Sequence, residues 1–286
     1  MTPSSTHQDP CNPPFKLHLI SGLPRSGSTL LAAILRQNPS FHAGMSGPLY
    51  GLFTTVLAEM SARNEFSVFI NTGQRRRVLT GLVREFHAGN APQGGVVFDT
   101  NRAWTTKMAA ISELFPEAKV IACVRHMPWI LDSVERIVQR NMFEPSIIFD
   151  YQPGGTVYSR ADGLAAANGM VGFSYNALKE AFFGQYAQRM MLLQYETLIS
   201  EPRRALDALY AFIGEPRYAH DFDNVSYDAR AYDERAGTPG LHQVHPRVGA
   251  KAVRQDSVLP PDLFRRFEND AFWRDANLNP RKVLIV

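Results

Sequence analysis

Apolar and polar positions along this chain switch between two rhythms. Phe15–Ile20 (FKLHLI) alternates and then turns apolar, which predicts a strand. After SGLPRSGST, the stretch LLAAILRQNP is apolar at helical spacing and stops at Pro39. Two more helices are predicted over 49–88, LYGLFTTVLAEMSARN and GQRRRVLTGLVREFHA. Val96–Asn101 (VVFDTN) reads as a second, buried strand, and KMAAISELFP as a helix closed by Pro116. Lys119–His126 (KVIACVRH) reads as a third strand with the helix WILDSVERIVQRN behind it. Residues 150–174 are Gly-rich and without a period, which predicts a long loop. A helix (YNALKEAFFGQYAQR), a fourth strand (MLLQYETL) and an amphipathic helix ending at Gly214 (EPRRALDALYAFIGE) follow. Residues 219–260 look irregular, and PPDLFRRFENDAFWRD predicts a last helix that starts at Pro-Pro.

Strands alternating with helices imply βαβ units and a parallel sheet. The expected fold is α/β, with three layers and a central parallel sheet flanked by helices. Residues 1–14 predict a flexible N-terminal tail. Residues 15–286 predict a single domain with a helical insertion near 45–95.

Composition narrows the function. Hydrophobic residues make up 45% and charged residues 20%, the balance of an ordinary globule. Thirty Lys+Arg against 27 Asp+Glu leave +3, too mild to imply a nucleic-acid partner. The two cysteines, Cys11 and Cys123, form no CxxC pair and no zinc-type cluster, which excludes a disulfide framework. No apolar run is long enough to cross a membrane and the N-terminus lacks a signal-peptide pattern, so the expected location is cytoplasmic.

Gly22-Leu-Pro24-Arg25-Ser26-Gly27-Ser28-Thr29 nearly matches the phosphate loop GxxxxGK[ST]. Glycines let the backbone turn around an anion, and the next helix aims N–H groups and its positive dipole end at it. Ser28 stands where that pattern has its lysine, which disfavours an ATP or GTP hydrolase. Arg25 supplies a cation one turn earlier.

PRSGST after a strand resembles the 5′-phosphosulfate loop of sulfotransferases that use 3′-phosphoadenosine 5′-phosphosulfate (PAPS). The likeness is to bacterial members and, more distantly, to protein-tyrosine sulfotransferases. It implies a P-loop-like fold, PAPS as donor, 3′-phosphoadenosine 5′-phosphate (PAP) as product, and no metal. It also implies a strand ending in Arg with Ser eight residues on, holding the 3′-phosphate; Arg125 and Ser133 match. Leu193-Gln-Tyr195-Glu196 is similar to a strand that reaches the nucleotide in the family. Arg247 and Lys251 lie where the family places a basic loop over it.

Sulfuryl transfer needs in-line positioning, neutralised charge and a proton acceptor. Arg25 is the leading charge stabiliser, and Arg102, at the end of the second strand, the next. The family's tyrosine-specific members carry a Gly-Glu-Glu segment after the first helix, where this chain has Gly44-Met45-Ser46-Gly47. The candidate bases are His42 and Asp99, and His126 reads as a structural neighbour. The acceptor is expected to be a small-molecule, sugar or peptide hydroxyl, or an amine. It should be bound between the 45–90 insertion and the 150–174 loop. Arg75, Arg76 and Arg77 could attract an acidic acceptor, and Tyr151, Tyr158, Phe173 and Tyr175 could stack on a ring. His242 and His245 have the spacing of a metal pair but no third ligand nearby. No dimer motif is identifiable, which leaves a homodimer open. Two rival readings stand beside this one: a P-loop-type small-molecule kinase, and an inactive nucleotide-binding homologue.

Overall fold

The computed structural model describes residues 15–143, 155–249 and 256–286. The expectations for the 1–14 tail, Cys11, Tyr151 and Lys251 fall outside these residues. Six parallel strands form one sheet in the order β2-β3-β1-β4-β5-β6. They are β1 (Lys16–Gly22), β2 (Phe41–Ala43), β3 (Val96–Thr100), β4 (Val120–Val124), β5 (Met190–Gln194) and β6 (Leu284–Ile285).

Strand parity sorts the side chains onto two faces. Leu17, Leu19, Val120, Ala122, Val124, Met190 and Leu192 enter one apolar core. That core is closed by α2 (Leu49–Glu59), α3 (Thr72–His87), α4 (Met108–Leu114), α5 (Met127–Arg140), α6 (Val157–Ala165) and α7 (Met170–Phe183). Ile20, Ile121, Cys123, Met191 and Leu193 enter the other. Its cover is α1 (Ser28–Leu35), α8 (Tyr195–Ser200) and α9 (Pro202–Ile213). Helices therefore flank a central parallel sheet, and strands buried on both faces read as apolar runs rather than alternations.

Several expectations need correction. Residues 155–174 are not a long loop: α6 starts after Thr156, whose side chain accepts from the Ser159 N–H, and α7 follows at once. Their glycines mark close packing. A Cβ on Gly169 would sit 2.0 Å from the Gly163 carbonyl oxygen, and one on Gly172 2.1 Å from that of Ala166. The fourth strand stops at Gln194, and Tyr195 opens α8 instead of continuing it. The last helix is only Pro261–Arg266. Beyond it, Phe272 is held by ring contacts with Tyr175 and Phe182 on α7 rather than by helical periodicity. Strands β2 and β6 were not predicted, because three and two residues are too few to show an alternation. The short α10 (Arg230–Arg235) likewise interrupts the stretch read as irregular.

One buried group couples this core to pH. His18, on β1, is 2% exposed; its Nδ1 accepts from the Lys119 N–H at 3.1 Å, and its Nε2 has no hydrogen-bond partner among the described residues. Burial, with smaller contributions from Lys16 and Lys119, lowers its pKa to about 4. The unfolded chain therefore binds this proton more readily than the folded one. Stability is complete above about pH 6.5 and falls as pH drops toward about 4, by about 3 kcal/mol in all. Urea unfolding of wild type and His18→Asn at pH 7 and 4.5 checks this. The variant, which keeps an acceptor but cannot charge, should lose clearly less stability on acidification.

Candidate functional site

In open parallel sheets, ligands lie beyond the carboxyl ends of strands, where the chain order reverses. Here β1 lies between β3 and β4, and the loops after β1 and β4 open onto a cavity of about 860 Å³. Gly22 makes the first turn possible. Its φ is +105°, and a Cβ there would lie 2.1 Å from the Cys123 carbonyl oxygen. The loop thus leaves β1 pressed against β4, with the Leu23 N–H donating to that same oxygen at 2.8 Å. Arg25 and Gly27 are both left-handed, with φ of 58° and 90°. Such a conformation is costly for an arginine and marks a backbone held in place by its surroundings. Gly27, at the N-cap of α1, has no side chain to cap it, which leaves the first N–H groups of the helix free of a capping side chain among the described residues.

Arg25 lines the cavity. Its Nε donates to Ser133 Oγ at 3.1 Å, and its guanidinium also donates to the Leu241 carbonyl. Arg125 donates to the Arg25 carbonyl at 3.2 Å and lies over the Tyr195 ring, 4.4 Å from its centroid. Tyr195 also packs under the loop, where a Cβ on Gly27 would meet its ring at 2.8 Å. Protein encloses Arg25 on most sides, yet the cavity still lets solvent reach it. Burial, then the charge of Arg125, lowers the Arg25 pKa to about 10, still far above neutrality. Burial also lowers that of Arg125, opposed by Tyr195, Glu196 and Asp132. Neither guanidinium forms an ion pair with a carboxylate among the described residues. Two adjacent, partly desolvated cations with no ion-paired carboxylate among the described residues fit a polyanionic ligand.

The structure gathers most of the sequence-derived residues here. Pro24, Gly27, Ser28 and Thr29 line the cavity with Arg25. Ser26 does not: it is buried, and its Oγ donates to the Pro24 carbonyl at 3.3 Å, bracing the loop from inside. Arg125, Ser133 and Tyr195 line the wall formed by β4, α5 and α8. Arg102 lies at the mouth, open to solvent, with its pKa lowered by partial desolvation and raised by Tyr232. Arg247 lines the rim but is largely exposed and pairs with Asp223 at 2.7 Å.

The two expected bases lie off the cavity lining. Asp99 is buried; its Oδ1 accepts from Trp104 Nε1 at 2.7 Å, and its Oδ2 stands 3.3 Å from His87 Nε2 without hydrogen-bond alignment. His42 sits on β2 with its ring 6.0 Å from that of His87, and its pKa is lowered mainly by burial. His126 Nε2 lies 2.6 Å from the Glu268 carbonyl oxygen. Among the described residues of the expected acceptor-binding segments, Ser46 and Met170 reach the cavity. Arg75 donates to the Met60 and Ser67 carbonyls, and Arg76 pairs with Glu113. Tyr158 donates to Asp262, while Tyr175 packs on Phe272.

Sequence reasoning missed the use of His242, which lines the cavity with Nδ1 2.6 Å from Asp233 Oδ1. His242 was legible only as a spacing with His245; its partner lies nine positions earlier, across turns that carry no pattern. Among the described residues, no group of three or more His, Cys, Asp or Glu is arranged to hold a metal ion. No described helix is long and apolar enough to cross a membrane.

A cationic cavity at the carboxyl edge of a parallel sheet places the chain among α/β proteins whose sites sit at strand ends. A family model described as "Sulfotransferase family" matches residues 19–220, and the chain belongs to that family. Membership supports an enzyme of the sulfuryl-transfer class. No curated protein matches the sequence. Among solved structures, the sulfotransferase domain from the curacin biosynthetic pathway is similar at 15% identity and a TM-score of 0.47, covering 94% of this chain and 90% of that one. The sulfotransferase domain from the Synechococcus PCC 7002 olefin synthase is similar at 17% identity and a TM-score of 0.46, covering 91% and 96%. A sulfotransferase from Alicyclobacillus acidocaldarius is similar at 14% identity and a TM-score of 0.45, covering 78% and 90%.

Proposed function

We propose that this protein transfers a sulfuryl group from PAPS to a hydroxyl or amine acceptor on a P-loop-like fold. The observation that carries this reading is the pair Arg25 and Arg125: two enclosed guanidinium groups in one cavity with no carboxylate partner among the described residues. The loop amides, Ser28 and Thr29 hold the 5′-phosphosulfate, with Arg25 neutralising charge on the leaving side. Arg125 and Ser133 take the 3′-phosphate, with the Arg125 guanidinium lying over the Tyr195 ring. Arg102 and Arg247 serve the mouth and rim. Cationic side chains supply the neutralisation that a metal provides in many phosphoryl-transfer sites.

Thermal unfolding with added nucleotide tests the reading. PAP at a hundred times its dissociation constant adds about 2.7 kcal/mol, or roughly 5 °C for a domain of this size. ADP, which lacks the 3′-phosphate, should shift the midpoint by much less, and so should ATP. A larger shift with ATP would replace the sulfuryl donor with a nucleoside triphosphate and return the chain to the kinase reading.

A further inference from the structure

Sulfuryl transfer to a hydroxyl needs a group to take the acceptor's proton, and the cavity offers few. Asp132 accepts from Arg136, from Ser257 Oγ and from the Val258 N–H. His126 Nε2 lies against a backbone carbonyl. Glu196 Oε1 faces the His126 N–H at 3.3 Å and Arg274 at 3.7 Å, and its Oε2 is buried away from solvent. The lining arginines stay protonated. His245 is exposed, with no orienting partner among the described residues.

His242 is differently placed. Asp233, on α10, has a side chain only 4% exposed, and both its oxygens face His242. Oδ1 accepts from the ring Nδ1 at 2.6 Å, and Oδ2 accepts from the His242 backbone N–H at 2.8 Å. One carboxylate thereby fixes ring position and tautomer together: the proton sits on Nδ1 and the lone pair on Nε2. Tyr232 meets the ring edge-on, with centroids 5.5 Å apart. Nε2 has no protein partner among the described residues, and the ring lines the cavity. The carbonyl just before it, that of Leu241, accepts from the Arg25 guanidinium. His242 and Arg25 are thus tied through one peptide unit.

We infer that His242 is the general base of the transfer, held in its working tautomer by Asp233. This deepens the proposed function and rests on it. His242 Nε2 takes the acceptor's O–H proton as the acceptor oxygen bonds to sulfur. The bridging S–O bond breaks, and its electron pair leaves on the 5′-phosphate oxygen beside Arg25. The imidazolium then gives its proton to water, with Asp233 stabilising the charged ring meanwhile.

The test uses the full chain with water as the acceptor probe. Calorimetry measures PAP affinity, PAP release from PAPS measures transfer, and ¹⁵N spectra of the His242 ring report its tautomer. His242→Asn keeps a donor for Asp233, so it should fold and hold PAP within about threefold of wild type. Its PAP release should fall about 100-fold and lose its dependence on pH on the acid side. Asp233→Asn should turn the Nδ1–H ring into a tautomer mixture and slow release about 10-fold, with PAP affinity unchanged. Release by His242→Asn within about threefold of wild type would overturn the base. So would a wild type that binds PAP yet releases it from PAPS no faster than the spontaneous reaction. Failure of wild type to bind PAP at all is a different result, which removes the donor reading and the base with it.

Discussion

Arg125→Met is expected to weaken PAP binding by about 100-fold while leaving the unliganded protein at least as stable as wild type. The methionine keeps apolar packing over the Tyr195 ring, where the guanidinium now lies 4.4 Å from the centroid. What disappears is one of two adjacent cations with no carboxylate partner among the described residues, so the empty cavity gains by the loss. A charge-assisted, fork-shaped contact to phosphate contributes about 1.5–3 kcal/mol, and each 1.4 kcal/mol is tenfold in affinity. The loss should be confined to ligands with a 3′-phosphate, and 5′-AMP should bind within about threefold of its wild-type affinity. Calorimetric titration of both nucleotides, with a melting curve of each unliganded protein, makes the comparison. Equal losses for PAP and 5′-AMP would take Arg125 off the 3′-phosphate. A large drop in unliganded melting temperature would show that its contacts to the Arg25 carbonyl and Tyr195 outweigh the repulsion.

Arg25→Met should cost turnover more than any other single change at the cavity, about 1,000-fold at saturating donor. Removing one preorganised donor from a developing negative charge typically costs 100- to 1,000-fold, and arginines at transferring phosphoryl groups contribute at least as much. Arg25 is held for such a task by Ser133, by the Leu241 carbonyl and by its own left-handed backbone, so it needs no reorganisation as charge develops. PAP released from saturating PAPS is the readout, with PAP affinity measured in parallel. Arg25→Lys should recover only part of the rate, because an ammonium cannot reach Ser133, the Leu241 carbonyl and a leaving oxygen in one fork. Near-normal turnover in Arg25→Met would exclude Arg25 from the chemistry and leave it a role in shaping the loop.

Much of this molecule is written locally. The strand–loop–helix unit around Gly22–Thr29 was legible because, the left-handed Arg25 apart, it obeys short-range rules. An apolar run makes the buried strand, glycine permits left-handed turns at Gly22 and Gly27, and helical spacing starts at Leu30, two residues into the helix. The parallel sheet was legible from the alternation of elements, and the pairing of Arg125 with Ser133 from the resemblance to the family, which implies that spacing. Where local rules ran out, so did the reading. The glycines of 163–172 looked like a loop because their purpose is contact between α6 and α7, which no local pattern records. Asp99 looked like a candidate base because it ends a strand, but Trp104 and His87 occupy its surroundings.

The sequence by itself determined four of the six strands, their parallel arrangement and the strand–loop–helix unit at Gly22–Thr29, because each depends on neighbours within about one turn or one strand. Only the tertiary structure decided which of the ionisable groups share a cavity. That Arg25 and Arg125, 100 positions apart, stand together follows from β1 and β4 pairing in register. That Leu241 reaches Arg25 from 216 positions away, bringing the His242–Asp233 pair with it, follows from how the late chain folds over the strand ends. Chemistry at this site depends on distances between residues that the chain's own order keeps far apart, and packing alone sets those distances.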